Sequence, residues 1–178
     1  MRTNTVKAAR KAQGGCARAG CTKQIQKGDS YYWVKGRFGP KRVFCAAHRP
    51  RASEKTSSDK LSQLYAAQET AEDDLANAAG YGDVAEMLRN AAMEAEEVAS
   101  GYNESADNVD EHFPGSPQVD EIREKAEACE TWQQALEDAA EEIDGLDPED
   151  YEDEDTRDDD RLDDANDLAT SALSELEL

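Results

Sequence analysis

The sequence predicts a mainly α-helical chain carrying a small, metal-built β module at its N-terminus. Three observations predict it. Cys16, Cys21, Cys45 and His48 converge within the first third of the chain. Apolar residues then recur at spacings of three and four over residues 58–101 and again over 118–144. The charge divides with the same boundary: residues 1–60 hold fifteen Lys and Arg against three acids, a net of +12, and the rest of the 178 residues nets −33.

Apolar residues make up 38% and charged residues 34% of the chain, so a large, deep core is not expected. Metal ligation, helix packing or oligomerisation supplies part of the stability. No apolar run reaches the length of a membrane span, and the N-terminus has no apolar secretory segment. Three cysteines clustered with a histidine suit a reducing compartment and a metal, and the expected location is the cytoplasm.

Residues 1–13 read as a basic arm, a short helix or a free segment, with Lys7, Arg10 and Lys11 ahead of Gly14-Gly15. Residues 14–51 contain C-x4-C, an aromatic spacer and C-x2-H. Three thiols and an imidazole are a complete tetrahedral set for zinc, with no position left for water. Gly20 lets the backbone turn close to the ion. The run from Asp29 to Lys35 alternates as a strand, Gly36 to Pro40 supplies a turn, and Lys41 to Phe44 returns to Cys45. Arg18, Lys23, Arg42 and Arg49 are available to offset the net negative charge of such a site. Buried free thiols and an iron–sulfur cluster are the competing readings, the latter disfavoured by the histidine.

This layout resembles a treble-clef zinc finger, in which a knuckle, a β-hairpin and two ligands at a helix start surround one ion. The stretch Cys21-Thr22-Lys23-Gln24-Ile25-Gln26-Lys27-Gly28-Asp29 is similar to the segment that follows the knuckle in that family. The four-residue spacer between the first cysteines is longer than the commoner two. The resemblance implies a structural zinc and a module of a β-hairpin plus a short helix. More loosely, the whole chain resembles tailed-bacteriophage proteins that join such a finger to an acidic helical region. That likeness implies a viral origin, hence a host cytoplasm, and no particular activity.

Residues 52–57 read as a polar linker, and Ser57 or Ser58 as a helix N-cap. The stripe Leu61, Leu64, Ala71, Leu75 predicts a helix, interrupted or not at Gly80-Tyr81-Gly82. Asp83 reads as a second N-cap with Glu86 as its capping-box partner. Val84, Leu88, Ala91, Ala95 and Val98 continue the stripe. Residues 102–117 read as a connecting loop because they contain Phe113-Pro114-Gly115-Ser116-Pro117. A second long helix follows over 118–144, with Gly145 as its stop. Residues 58–146 are therefore expected as an acidic helical hairpin or coiled coil. Residues 147–178 are expected as an acidic tail, mobile over 147–164, ending in a short helix from Leu162.

Lys35, Arg37, Lys41 and Arg42 interleave with Tyr31, Tyr32, Trp33, Phe38 and Phe44. Cations beside aromatics suit phosphate contact and base stacking, with Tyr32 as the outer ring. Equally, alternate aromatics build a small core and the cations keep its outer face soluble. The acidic helices admit a DNA-mimic reading beside that of a solvated helical surface. The run Asp153 to Asp164 lacks the glycine and terminal glutamate of a calcium loop. Cys129 falls on the apolar stripe as a small hydrophobe, and His112 lies beside the breaker with no catalytic companions. There is no phosphate-binding glycine loop and no nucleophile–base constellation, so no enzyme is expected.

The expected function is that of a non-catalytic zinc-finger binding protein. Its basic face takes nucleic acid or a host protein, and its acidic helices form a homodimer or contact a partner. The alternatives are an acidic DNA mimic that inhibits a host nucleic-acid enzyme or defence protein, and a structural or assembly protein of a virion.

Overall fold

A computed structural model describes residues 1–36, 39–147, 151 and 157–176. The chain forms two compact units, Met1–Tyr65 and Ala66–Leu178.

The first unit is built on five short strands: β1 (Asn4–Val6), β2 (Gly14–Gly15), β3 (Gln24–Ile25), β4 (Tyr31–Val34) and β5 (Arg42–Cys45). A three-stranded antiparallel sheet has the order β1-β4-β5, and β2 pairs with β3 in a separate hairpin. Aromatic and β-branched residues favour β4, where alternate side chains take opposite faces. Tyr31 and Trp33 share a face with their partners Cys45 and Val43. There they join Ala9, Ile25 and Val6 in a small core. Tyr32 and Val34 share the other face with Phe44 and Arg42, and Val34 and Phe44 are fully buried.

The N-terminal arm departs from its expected form. Asn4–Val6 is a strand, with Asn4 opposite Trp33 and Val6 opposite Tyr31. Without it, β4 would present an edge of unpaired N–H and C=O groups, and the β-branched Thr5 and Val6 are suited to fill that edge. The short helix expected at Cys45 and His48 is absent. Cys45 ends β5, the chain turns at Ala46-Ala47, and the His48 N–H donates to the Cys45 carbonyl at 3.0 Å. Pro50 accounts for this, because its ring disfavours helical backbone at Arg49. Residues 52–57 are held against the unit. The Glu54 carboxylate accepts from the Arg51 N–H at 2.8 Å and from Arg18 at 3.0 Å.

The helices are α1 (Asp59–Leu75), α2 (Tyr81–His112), α3 (Pro117–Asp144) and α4 (Arg157–Ser174). Ser58 caps α1, its hydroxyl accepting from the Leu61 N–H at 3.4 Å. The chain breaks between Leu75 and Tyr81, so 58–101 holds two helices. The N-cap of α2 is Gly80 rather than Asp83. Asp83 sits in the first turn, and its carboxylate accepts from the N–H of Ala79, the residue before the cap, at 3.2 Å.

The connection between α2 and α3 is shorter than expected. Residues 102–112 contain no glycine or proline, and the buried Tyr102 and Ala106 extend the α2 stripe through them. Only Pro114 stops the helix. Gly115, at φ +76°, completes the turn, and Ser116 caps α3 by accepting from the Gln118 N–H at 3.4 Å. Gly145 follows α3 as expected, in right-handed backbone at φ −80°.

α2 and α3 run antiparallel. Arg89 pairs with Asp144, Asn103 with Glu130 and Asp107 with Arg123, so numbers rise on one helix as they fall on the other. The expected two-helix hairpin or coiled coil is instead a bundle of three, because α4 packs on both. The reason lies in the width of the α2 stripe. Val84 and Ala85, Met87 and Leu88, Ala91 and Ala92, and Val98 and Ala99 are all buried. Adjacent buried pairs make a face too broad for one partner, unlike a narrow coiled-coil seam. α4 covers it with Ala165, Ala169, Ala172 and Leu173.

The tail helix thus begins at Arg157, before the expected Leu162, and three aspartates in its first turn favour the positive end of the helix dipole. The buried Arg161 anchors it. Its guanidinium lies 3.8 Å from the centre of the Tyr81 ring and donates to the Leu146 carbonyl at 2.7 Å. Glu149, Asp150 and Glu152 to Asp155, which carry much of the expected acidic run, lie outside the described residues. Among the described residues, no helix is long and apolar enough to cross a membrane.

Cys129 is fully buried on α3, and burial, with Glu130 alongside, pushes its thiol up to about 11. It is therefore expected to resist a thiol reagent near neutral pH until the bundle is denatured, while the other three cysteines react once metal is chelated. Counting modified thiols by mass before and after denaturant checks this. Fast reaction of all four in the folded protein would contradict the packing.

Candidate metal centre

Cys16, Cys21, Cys45 and His48 are brought together by backbone pairing. The β2–β3 hairpin carries the knuckle: Cys16 N–H donates to Lys23 at 2.9 Å, and Cys21 N–H to Arg18 at 3.1 Å. Gly20, at φ +75°, makes this turn possible in a conformation that strains other residues. The Ala17 N–H donates to the Val43 carbonyl at 2.7 Å and fixes the knuckle beside β5, where Cys45 ends the strand.

The four donor atoms all lie within 4.8 Å of one another. His48 Nδ1 is 3.6 Å from Cys16 Sγ and 3.5 Å from Cys45 Sγ. Tetrahedral bonds of about 2.3 Å to sulfur and about 2.0 Å to nitrogen place such atoms about 3.6 Å apart. The four residues can therefore hold a metal ion, and the donor set is consistent with zinc.

The electrostatics suit thiolate ligands. Burial works to raise the Cys16 thiol, but N–H groups of Cys45 and Arg18 and hydrogen bonds with His48 and Cys21 outweigh it, lowering the pKa to about 7. At Cys21 the Lys23 N–H pulls the other way, yet burial and the neighbouring Cys16 and Cys45 sulfurs leave the thiol raised. A divalent cation among them would favour the thiolate form of all three.

Three of the four side-chain cations expected to balance this charge, Arg18, Arg42 and Lys23, are engaged elsewhere. Arg18 pairs with the Glu54 carboxylate at 3.0 Å and donates to the Arg49 carbonyl. Arg42 donates to the Glu54 carbonyl, and Lys23 lies 3.9 Å from Asp29. Backbone N–H groups take that role at the sulfurs. Sequence reasoning missed them because any residue can supply a backbone donor. Glu54 had a signal: it is one of only three acids in residues 1–60.

The residues expected on a binding face are distributed between the two faces of the sheet. Lys35 is exposed just beyond β4. The Lys41 ammonium stands 5.0 Å from the centres of both the Tyr31 and Trp33 rings and donates to Tyr31 and Gln13 at 3.2 Å. Tyr32 and Arg42 are half-buried on the opposite face. Arg37 and Phe38 lie outside the described residues. His112 ends α2, exposed, its Nδ1 donating to the Asn108 carbonyl at 2.9 Å.

No protein-family model matches this chain, and no curated protein or solved structure is significantly similar to it.

Proposed function

We propose that this is a non-catalytic binding protein whose first unit is a zinc-stapled finger module. The convergence of four donors within 4.8 Å carries the reading. All four tetrahedral positions are protein ligands, so a bound zinc would staple the knuckle to β5 rather than activate water. The module presents cations to a polyanion, with nucleic acid the first candidate and an acidic protein surface the second. The acidic helices dimerise or contact a further partner. A phage origin rests on the family likeness alone.

The test is retention of labelled DNA or RNA by the full chain in a gel assay at increasing salt. A complex that weakens steeply with salt is the expected result. No complex at low salt would remove nucleic acid from the proposal.

A second reading has a specific observation in its favour. The bundle carries exposed carboxylates along two antiparallel helices, among them Glu96, Glu97, Glu104, Asp107, Glu124 and Glu127. A carboxylate-dense rod can imitate the field of duplex DNA, which carries one charge per about 1.7 Å. This reading predicts stoichiometric binding to a basic nucleic-acid enzyme, competed by duplex DNA. Recovery of only nonspecific basic proteins from a bacterial lysate would count against it. A role in virion assembly remains the third alternative.

A further inference from the structure

Four cations of the first unit, Lys7, Arg10, Lys11 and Lys27, lie outside the β4–β5 hairpin, on two segments that pair with each other. The segment over residues 7–13 is laced to the segment over 25–29. Ala9 donates to the Asp29 carbonyl at 2.8 Å and accepts from the Gly28 N–H at 2.8 Å, and the Gln13 N–H donates to Ile25 at 2.9 Å. Ala9 and Ile25 are buried beneath this lacing. Arg10 and Lys27 each sit one residue from the Ala9–Gly28 pair, with Lys7 and Lys11 close by on the same segment.

All four basic residues are exposed. Among the described residues, none of their side chains enters an ion pair or hydrogen bond. The acid in these two segments is Asp29, whose carboxylate is occupied by the Gln26 N–H at 2.9 Å and lies 3.9 Å from Lys23. By contrast, Lys41 and Arg42 of the hairpin are already engaged. Free, solvated cations release phosphate counterions on binding and so supply the larger electrostatic gain.

We infer that Lys7, Arg10, Lys11 and Lys27 form the surface that contacts the phosphate backbone of duplex nucleic acid. The inference rests on the nucleic-acid reading proposed above and relocates its contact from the hairpin to the paired segments. Residues 7–13 and 22–29 contain no aromatic side chain. Single-strand binding relies on rings that stack on bases, whereas a duplex offers its phosphates to cations alone. The contact is accordingly sequence-independent.

The test uses the full chain, a fluorescent mixed-sequence duplex, the single strand of equal length, and anisotropy at several salt concentrations. The variants are Lys7→Gln/Arg10→Gln/Lys11→Gln/Lys27→Gln and, for comparison, Lys35→Gln/Lys41→Gln. Metal content and circular dichroism check that each is folded, and the pair Lys7→Gln/Lys11→Gln serves if the fourfold variant is not. The fourfold variant is expected to lose affinity at least about tenfold, with the salt slope shallower by about 3.6, while the hairpin variant changes little. Wild-type binding that survives the fourfold change but falls with the hairpin variant overturns this surface and leaves the nucleic-acid reading standing. No wild-type binding at low salt sinks both. Tighter binding of the single strand overturns the duplex assignment. Polyglutamate competing as well as unlabelled duplex overturns it in favour of an acidic protein partner.

Discussion

Cys45→Ser is expected to abolish stoichiometric metal binding, while the unaltered chain purified without added metal carries about one zinc. Cys45 contributes a ligand and ends the strand that the knuckle leans on. The change to serine leaves three strong donors and puts a hydroxyl into the Ala9, Ile25 and Tyr31 core. That core is too small to hold the module alone, and structural zinc contributes about 10–16 kcal/mol of apparent binding energy in zinc-finger peptides. The metal-free first unit is therefore expected to unfold, exposing many Lys and Arg to trypsin, while residues 66–178 resist. Metal analysis by plasma mass spectrometry and mapping of the tryptic cuts check both parts. Cys129→Ser is the control and should keep its metal, because Cys129 is buried on α3 of the second unit and is not one of the four donors. Full zinc in Cys45→Ser, or none in the unaltered chain after zinc is supplied, would dismantle the centre.

The ligand quartet was legible in the sequence because metal chemistry restricts both residue type and spacing. The groups that tune the sulfurs were not, since backbone N–H groups of Cys45, Arg18 and Lys23 leave no trace in side-chain identity. β1 was hidden for a related reason. Asn4–Val6 becomes a strand only because β4 offers it an edge, and that pairing joins residues about 27 positions apart. The long helices were legible from their stripes, and their caps from Ser58 and Ser116. Misreading 102–112 as loop came from extending the breaker's reach backward, although a proline disturbs chiefly its own and the preceding residues. The third bundle helix was visible as a stripe, but its partner was not. Only the breadth of the α2 face, with buried residues in adjacent pairs, distinguishes a bundle from a hairpin. The residues expected on one binding face divide between two faces of the sheet, because neighbours in sequence are not neighbours in space on a strand. In a strand, Tyr32 and Trp33 look in opposite directions.

Trp132→Ala is expected to destabilise the helical bundle by about 3–5 kcal/mol, through lost burial and the cavity left behind. Trp132 is fully buried on α3, and its Nε1–H donates to the Ala172 carbonyl of α4 at 3.1 Å. The ring therefore fills space within the bundle while its edge fastens α4. Much of the surrounding core is alanine, which can shift little to close a large void. The loss is a large share of the ~5–15 kcal/mol that holds a typical domain. Trp132→Phe separates the two roles: it keeps most of the apolar volume but leaves the Ala172 carbonyl without this donor, at a cost of about 1–3 kcal/mol. Urea unfolding followed by far-UV circular dichroism measures both. A loss below about 1 kcal/mol for Trp132→Ala would mean that α4 does not depend on this contact. The outcome also bears on function. A DNA-mimic surface needs its carboxylates held at fixed spacing, so loosening the bundle should weaken binding to a basic enzyme. Contact through Lys7, Arg10, Lys11 and Lys27 uses residues of the first unit and should survive the same substitution.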